Sequence, residues 1–324
     1  MPATATTDAS SFKAAPMSLT GLIKRPGPSG FGWSSTAREV VDGLDLSDHT
    51  ILVTGANSGL GLETSRALAD RGATVIVAAR TMDKAQATCA DIDGDTIAVA
   101  CELSDPQSVR DCTDHIAALD RPLDALIANA GIMALPKRQT AHGYEKQFFV
   151  NHIGHFLLIT RLIDHLADDA RVVLVSSDAY KMAPNEGIQF DNLDGQQGYS
   201  AWKAYGQSKL ANLLFARELG QRFANSDTQR VANAVHPGPI DTNLTRNMNV
   251  VFRLLWTLLS PLFLKTIPEG AATQTWAAVH PDAADLNAHY LADCNIAQPS
   301  SHGADADLAR RLWKRSETII DRLP

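Results

Sequence analysis

The sequence predicts a single α/β domain with a doubly wound parallel sheet, in which helices cover both faces of the strands. Three observations lead to this class: short β-branched apolar runs recur along the chain, longer amphipathic stretches separate them, and this rhythm is the only internal repeat. Strands buried on both faces are apolar throughout, and parallel neighbours need a crossover helix between them. Right-handed crossovers then wind the sheet outward in both directions.

About seven strands are expected. The first six are predicted at His49–Thr54, Ala73–Ala79, Thr96–Ala100, Leu123–Ala128, Arg171–Ser176 and Val231–Val235. A seventh strand is predicted near Ala288–Leu291, and a last helix around Ala304–Arg322 completes the domain.

The N-terminal residues differ from the rest. Residues 1–46 are rich in Ala, Thr, Ser, Gly and Pro and show neither helical nor strand periodicity. They predict an extension, flexible at least up to Met17, before a domain that runs from 47 to 324. Few acidic residues among many Ser, Thr and Ala leave an organelle-transit function of this extension open.

Composition excludes several classes of protein. The 324 residues carry 29 basic and 36 acidic side chains, a net charge of −7, so a nucleic-acid partner is not expected. The four cysteines form no CxxC pair, which predicts a reduced, cytoplasmic protein without a zinc cluster. The apolar segment Val250–Leu264 contains Arg253 and Pro261 and is shorter than the about 20 residues that span a bilayer. No transmembrane segment is expected, and peripheral membrane contact stays open.

A glycine-rich turn follows the first strand directly and precedes a helical pattern. Glycines let a chain turn tightly and bring backbone amides against a pyrophosphate, while the helix N-terminus adds partial positive charge. The pattern predicts a dinucleotide site of the Rossmann fold. The candidate cofactor residues in this turn are Gly55, Asn57, Ser58, Gly59, Leu60 and Gly61.

The end of the second strand indicates which dinucleotide is bound. An acid at that position would hydrogen-bond the ribose hydroxyls and repel a 2′-phosphate. Here the strand ends in Ala79-Arg80, and an arginine can clamp a phosphate with its fork of donors. The sequence therefore favours NADP, with NAD possible; alternatively Arg80 caps the sheet edge and faces water.

Tyr205 and Lys209 lie four positions apart in a helical stretch from about Ala201 to Arg222, so both side chains share one face. A free phenol has a pKa of about 10 and is a poor base at neutral pH. A neighbouring ammonium and a positive nicotinamide ring both favour the phenolate. We therefore expect a lowered pKa for Tyr205 and a role for it as general acid or base.

Six motifs follow one another in the order typical of one family: Thr54–Gly61, Asn129-Ala130-Gly131, Asn151, Ser177, Tyr205/Lys209 and Pro237-Gly238. On these motifs the sequence resembles the short-chain dehydrogenase/reductase family over about residues 48–315. The resemblance implies that Asn151 holds a proton-relaying water, and that Ser177 hydrogen-bonds the substrate oxygen. The further cofactor residues that it implies are Glu102, Leu103, Asn129, Ala130, Gly131, Pro237, Gly238, Ile240 and Thr242. Glu102 departs from the family, which usually has aspartate there, and this puts the adenine contact in doubt.

Three stretches resemble the retinol dehydrogenase and protochlorophyllide reductase branch of the family: Ala204–Asn212, Ala234–Gly238 and Tyr290–Cys294. The resemblance implies a substrate lid, placed around 242–268, where leucines recur at helical spacing. Such a lid suits an apolar aldehyde, ketone or alcohol of retinoid, steroid or lipid type. The alternative is a helix packed permanently on the core or on a partner subunit, since relatives often form homo-oligomers.

Three functions are compatible with these residues. The first is NADP(H)-dependent hydride transfer to or from a carbonyl or alcohol carbon, and the second is reduction of a carbon–carbon double bond. The third is a dinucleotide-sensing protein without turnover, which the complete set of Asn151, Ser177, Tyr205 and Lys209 disfavours. His152 and His155 lie three apart without a third ligand at zinc spacing, so packing roles are expected and no metal.

Overall fold

The computed structural model describes residues 25–240 and 264–324. Within these residues the strands are β1 (Thr50–Thr54), β2 (Thr74–Ala79), β3 (Thr96–Ala100), β4 (Leu123–Ala128), β5 (Thr140–Ala141), β6 (Tyr144–Glu145), β7 (Leu166–Val175), β8 (Val231–His236), β9 (Tyr290–Ala292) and β10 (Asn295–Ala297). The α-helices are α1 (Gly59–Ala69), α2 (Met82–Cys89), α3 (Pro106–Ala117), α4 (Lys146–Phe148), α5 (Gly154–Leu162), α6 (Ala201–Ala224), α7 (Ile267–Val279), α8 (Ser301–Ala304) and α9 (Ala306–Ile320). A π-helical segment, Phe149–Ile153, joins α4 to α5.

The described strands confirm the predicted fold class. Eight of them form one sheet in the order β10-β9-β8-β7-β4-β1-β2-β3, and β5 and β6 form a separate hairpin. All neighbours in the large sheet are parallel except β9 and β10. The eighth strand arises because Asp293 and Cys294, at φ 51° and 58°, reverse the chain within two residues.

Two apolar layers cover the sheet because alternate side chains of each strand point to opposite faces. Leu52 of β1 lies in one layer, with side chains of α3, α5, α6 and α9. Ile51 and Val53 lie in the other layer, with side chains of α1 and α7. Every residue of β1 and β2 is buried, as expected of central parallel strands.

The described part of the N-terminal extension packs on the domain. Trp33, Val40, Val41 and Leu46 are buried, three of them in the same layer as α7, and the Ala37 amide donates to Pro268 O at 2.9 Å. Asn295 of β10 bonds this segment through Ser29 N and Phe31 O, both at 3.1 Å. The stretch up to Met17, predicted to be flexible, lies outside the described residues.

The described helices include none that combines the length and apolarity required to cross a bilayer. Most of the predicted lid, 242–268, lies outside the described residues, which resume at Leu264. The last part of that range enters α7, which begins at Ile267 behind a capping box formed by Thr266 and Glu269.

Candidate active site

A cavity of about 820 Å³ lies at the carboxyl ends of the parallel strands, where ligands bind in doubly wound sheets. The predicted site residues that line it are Gly55, Asn57, Ser58, Gly59, Leu60, Arg80, Glu102, Leu103, Asn129, Ala130, Gly131, Ser177, Tyr205, Lys209, Pro237, Gly238 and Ile240. Two further predicted residues, Gly61 and Asn151, lie behind this lining. Thr242 lies outside the described residues.

The glycine turn needs two of its glycines for close packing. Gly55 has φ +66°, and a Cβ there would lie 2.9 Å from Ala130 Cα. A Cβ on Gly61 would lie 2.4 Å from Gly55 O and 2.6 Å from Asn129 Nδ2. Ser58, at the N-terminus of α1, makes no side-chain cap hydrogen bond. The helix N-terminus is therefore held tightly against the turn and can receive an anionic ligand.

Asn129 ties the glycine turn to the end of β4. Its Nδ2 donates to Thr54 O at 2.8 Å, and its backbone amide donates to Thr54 Oγ1 at 3.0 Å. The Ala130 amide donates to the same hydroxyl at 3.0 Å. Thr54, which the sequence analysis did not single out as a site residue, thus fixes the spacing between two walls of the cleft.

The far end of the cavity carries three charged side chains. Arg80 forms an ion pair with Glu102, with Nε 3.0 Å from Oε2, and 62% of the Arg80 side chain is exposed. Glu102 also accepts from Ser104 N and Oγ, at 3.0 and 2.8 Å. Lys84, four residues after Arg80 in α2, lines the same end. Arg80 therefore faces the cleft with a second cation beside it, and Glu102 is occupied by protein partners.

Tyr205, Lys209 and Ser177 meet in the middle of the cavity. Tyr205 and Lys209 lie one turn apart on α6, with Lys209 Nζ 5.8 Å from the centroid of the phenol ring. Lys209 Nζ donates to Val175 O at 2.9 Å. The Ser177 side chain lies close enough to the Tyr205 phenol to favour its ionised form, and Ser177 Oγ accepts from Ala179 N at 3.2 Å. The predicted i, i+4 pair thus shares one buried corner with a hydroxyl from the end of β7.

The pKa of Tyr205 differs from the lowered value that the sequence suggested. Burial raises the pKa of the phenol, and the Ser177 side chain opposes this only in part. Burial also lowers the pKa of Lys209, to about 8, because the ammonium has lost water. The protein groups by themselves therefore do not produce a phenol that ionises at neutral pH.

Asn151 lies in the π-helical segment and is fully buried. Its Nδ2 donates to Ile132 O and Ser208 Oγ, both at 2.9 Å, and its Oδ1 accepts from Ile132 N at 2.8 Å. The side chain is thus bonded to protein groups and does not reach the cavity surface, so its expected function as a water holder has no support from these contacts. It connects the loop after β4 to α6, beside Lys209.

His155 joins the π-helical segment to the end of β1. Its Nδ1 lies 2.9 Å from Asn151 O, and its Nε2 lies 2.9 Å from Thr54 Oγ1. Burial lowers the pKa of this imidazole to about 4, so it is neutral at pH 7. A carbonyl can only accept, so Nδ1 carries the hydrogen and the Thr54 hydroxyl donates to Nε2. The ring therefore orients residues on both sides of the cleft, and no group of three metal-ligating side chains occurs in the described residues.

Comparison with known proteins identifies the family. Residues 49–250 match the family described as short chain dehydrogenase. The chain belongs to the short-chain dehydrogenase family. It is 39% identical over 321 residues to short-chain dehydrogenase TIC 32 A, chloroplastic, of Brassica napus, covering 95% of this chain and 100% of that one. It is 40% identical over 284 residues to retinol dehydrogenase 12 of Mus musculus, covering 86% and 88%.

Solved structures share the fold. An uncharacterised protein from Mycobacterium Paratuberculosis superposes with a TM-score of 0.72 at 33% identity, covering 90% of this chain and 99% of that one. A blue fluorescent protein from a metagenomic library, in complex with NADPH, superposes with a TM-score of 0.61 at 23% identity, covering 77% and 97%. This short-chain dehydrogenase is therefore an oxidoreductase, and its resemblance to the retinol dehydrogenase branch is confirmed.

This short-chain dehydrogenase also has cavity residues that the sequence analysis missed. Trp202, Met133 and Ile267 line the cleft and are 40%, 37% and 40% exposed. They come from α6, the loop after β4 and the start of α7, so no local spacing connects them. Trp202 also meets the Tyr205 ring edge-on, with centroids 6.2 Å apart. An aromatic residue three positions before the tyrosine was the one signal available for Trp202.

Proposed function

We propose that this protein uses NADP(H) to interconvert a carbonyl and an alcohol on an uncharged, apolar substrate, with Tyr205 as general acid and base. The observation that carries the proposal is the convergence of Tyr205, Ser177 and Lys209 in one buried corner of the cleft. The glycine turn and the amides at the start of α1 suit the pyrophosphate of a dinucleotide. A bound dinucleotide would supply or accept the hydride.

The protein groups have separate tasks in this proposal. During reduction Tyr205 gives its proton to the substrate oxygen, and the Ser177 hydroxyl donates a hydrogen bond to that same atom. Lys209, held by Val175 O, stabilises the phenolate that remains. Asn151 and Ser208 fix the wall beside Lys209 through their mutual hydrogen bond at 2.9 Å. Oxidation of an alcohol runs the same proton transfers in reverse.

The direct test follows NADPH absorbance with a panel of apolar aldehydes, ketones and enones. Oxidation of NADPH with aldehydes and ketones, giving alcohols, supports the proposal. Consumption of enones alone, with saturation of the double bond, would favour the alternative in which Tyr205 protonates carbon. Binding of NADPH without turnover of any compound would instead support a dinucleotide-sensing protein.

The preference for NADP is supported by the two cations at the far end of the cavity. Arg80 and Lys84 line the position after β2, where the ribose 2′-phosphate would lie. Glu102, which could repel that phosphate, is already paired with Arg80 and bonded to Ser104. The net local charge is therefore positive, which suits a phosphate more than a hydroxyl.

Replacing Arg80 by alanine is expected to raise the Kd for NADPH about tenfold while changing the Kd for NADH less than about twofold. The reason is that charge-assisted hydrogen bonds to phosphate contribute about 1.5–3 kcal/mol, and NADH lacks that phosphate. Titration of protein fluorescence with each cofactor measures both constants. Arg66→Ala, in α1 and paired with Asp91, is the matched control. Equal weakening of both cofactors would contradict a phosphate contact.

The substrate class is inferred from the side of the cavity near Tyr205. Exposed Trp202, whose ring meets that of Tyr205, supplies apolar surface there, and exposed Met133 and Ile267 add apolar surface to the same cavity. Lys209 is the one charged side chain among the described residues that line this side, because the others lie at the far end. Because Lys209 Nζ is already bonded to Val175 O, a charged substrate gains little on this surface, whereas an apolar one is desolvated favourably.

Replacing Trp202 by alanine is expected to raise KM for large apolar aldehydes about tenfold, since an aromatic side chain of this size contributes about 1.5–3 kcal/mol through burial. KM for a two- or three-carbon aldehyde should stay within about twofold, because such a molecule does not reach the ring. Steady-state kinetics on a series of aldehyde chain lengths measures the difference, with Trp202→Phe as control. A KM change that is the same for every chain length would contradict substrate contact.

The cytoplasmic location and the possible homo-oligomer stay predictions. The relative from Brassica napus is described as chloroplastic, which keeps the transit function of the N-terminal extension under consideration. Fractionation of cells that express the full chain, and light scattering of the purified protein, would decide the two points.

A further inference from the structure

Lys265 is a buried cation outside the catalytic set. Its side chain is fully buried, and its Nζ lies 2.7 Å from Asp293 Oδ1. The geometry is that of a contact ion pair, and within the described residues Nζ has no directed hydrogen bond. A buried ammonium depends on its counter-charge, because removal of one partner leaves an uncompensated charge in a low-dielectric environment. Asp293 therefore compensates the buried charge of Lys265.

The stem of Lys265 lies directly against the Pro237-Gly238 turn that follows β8. A Cβ on Gly238, which has φ +90°, would lie 2.8 Å from Lys265 Cδ and 3.0 Å from Cε. The Lys265 amide donates to Pro239 O at 2.8 Å, and Ile240 pairs with Lys265 in a parallel bridge. The turn thus rests on the lysine stem, and any tilt of that stem would move the turn.

Asp293 belongs to the Tyr290–Cys294 stretch, for which the proposed function gives no role. Asp293 and its neighbour Cys294 both have positive φ, a conformation that L side chains other than Asn and Asp adopt reluctantly. Thr273 Oγ1 accepts from Cys294 N at 3.2 Å and holds the turn in place. Asn-Gly would satisfy such a turn with less strain. Asp293 thus fits the turn conformation and at the same time places a carboxylate against Lys265 Nζ.

A third group fixes the opposite side of the Pro237-Gly238 turn. His236 Nδ1 accepts from Gly238 N at 3.4 Å and from Asp178 N at 3.1 Å. The turn is consequently fixed from one side by His236 and from the other by Lys265. Its position relative to Tyr205 and Lys209 depends on both supports, because all of them line or adjoin one cavity.

We propose that the Lys265–Asp293 ion pair is a positioning device that sets the Pro237-Gly238 turn against the nicotinamide end of the bound dinucleotide. This inference rests on the proposed placement of the dinucleotide in the cleft. Neither member of the pair is among the described residues that line the cavity, so both act through Gly238. Their loss shifts the turn and leaves the far end of the cleft, around Arg80, unchanged.

Two probes that share the adenosine end separate this role from a general structural one. NADPH occupies the whole cleft, whereas adenosine 2′,5′-bisphosphate lacks the nicotinamide and reports only on the end near Arg80. In Lys265→Met and in Asp293→Asn we expect the Kd for NADPH to rise about tenfold and kcat/KM to fall about ten- to a hundredfold. The Kd for the bisphosphate should change less than about twofold. Asparagine tolerates positive φ, so Asp293→Asn changes the charge without straining the turn.

The controls make each outcome decisive. The Lys265→Met/Asp293→Asn double variant should bind NADPH no more weakly than the worse of the two single variants, because the two residues act as one unit. Arg80→Ala should instead raise the Kd for both probes. If Asp293→Asn weakens the binding of both probes equally, or leaves NADPH affinity unchanged, the positioning role is overturned while the proposed function stays intact. Failure of the unaltered protein to bind either probe overturns both.

Discussion

Replacement of Tyr205 by phenylalanine is expected to lower kcat for carbonyl reduction about a thousandfold while changing the Kd for NADPH less than about twofold. A positioned general acid contributes typically about 10²–10⁴ in rate. The substitution removes the hydroxyl and keeps the ring that packs on Trp202, so the shape of the cleft is preserved.

Single-turnover mixing of enzyme, NADPH and aldehyde measures this effect on the chemical step directly. Tyr144→Phe is the matched control, because Tyr144 lies in the β5–β6 hairpin and does not line the cavity. Equal rates of NADPH oxidation by the Tyr205 variant and the unaltered protein would exclude proton transfer by the phenol. A parallel loss of rate and NADPH affinity would indicate a damaged cleft.

Replacement of Lys209 by methionine should abolish most of the activity and, at pH 7, increase the free energy of unfolding. Burial lowers the pKa of Lys209 from 10.5 to about 8, so keeping it charged in the folded protein at pH 7 costs about 3 kcal/mol. Loss of its hydrogen bond to Val175 O lowers the free energy of unfolding by about 1 kcal/mol and offsets part of this gain. A net gain of about 2 kcal/mol is expected, together with loss of the cation that stabilises the phenolate.

The pH dependence of stability checks the sign of this argument. Between pH 8 and 10.5 the unfolded chain holds the Lys209 proton and the folded chain releases it, so this residue makes stability rise with pH across that window. Its destabilising effect is complete below pH 8. Urea unfolding at pH 7 and pH 10 should show that rise in the unaltered protein and a smaller one in Lys209→Met. Exposed Lys203 on the same helix, changed to methionine, serves as control. A less stable Lys209 variant at pH 7 would contradict the burial cost.

The strands and their order were predictable because buried parallel strands are apolar without interruption. Thr96–Ala100 and Leu123–Ala128 occur where the sequence placed them. β7 begins five residues earlier than predicted because its first half contains the exposed Asp168 and Asp169, and a register shift against β4 separates that half from the buried one. β10 was missed because three residues are too few to show a periodicity.

Site residues within one element could be predicted, whereas contacts between elements could not. The four-residue spacing of Tyr205 and Lys209 is a property of one helix, and so is their common face. Lys84 and Met133 reach the cavity only through the packing of separate loops and helices, which no local pattern encodes. The pKa of Tyr205 could not be predicted from local spacing either, because it depends on how much water the folded chain excludes from the phenol.

The antiparallel hairpin at the end of the sheet has a consequence for solubility. β10 has only three residues, so a foreign strand added there would gain at most a few ladder hydrogen bonds. Asn295 at its start is already hydrogen-bonded to the segment around Phe31. Although Ile296 is half exposed, this border of the sheet is a poor template for aggregation.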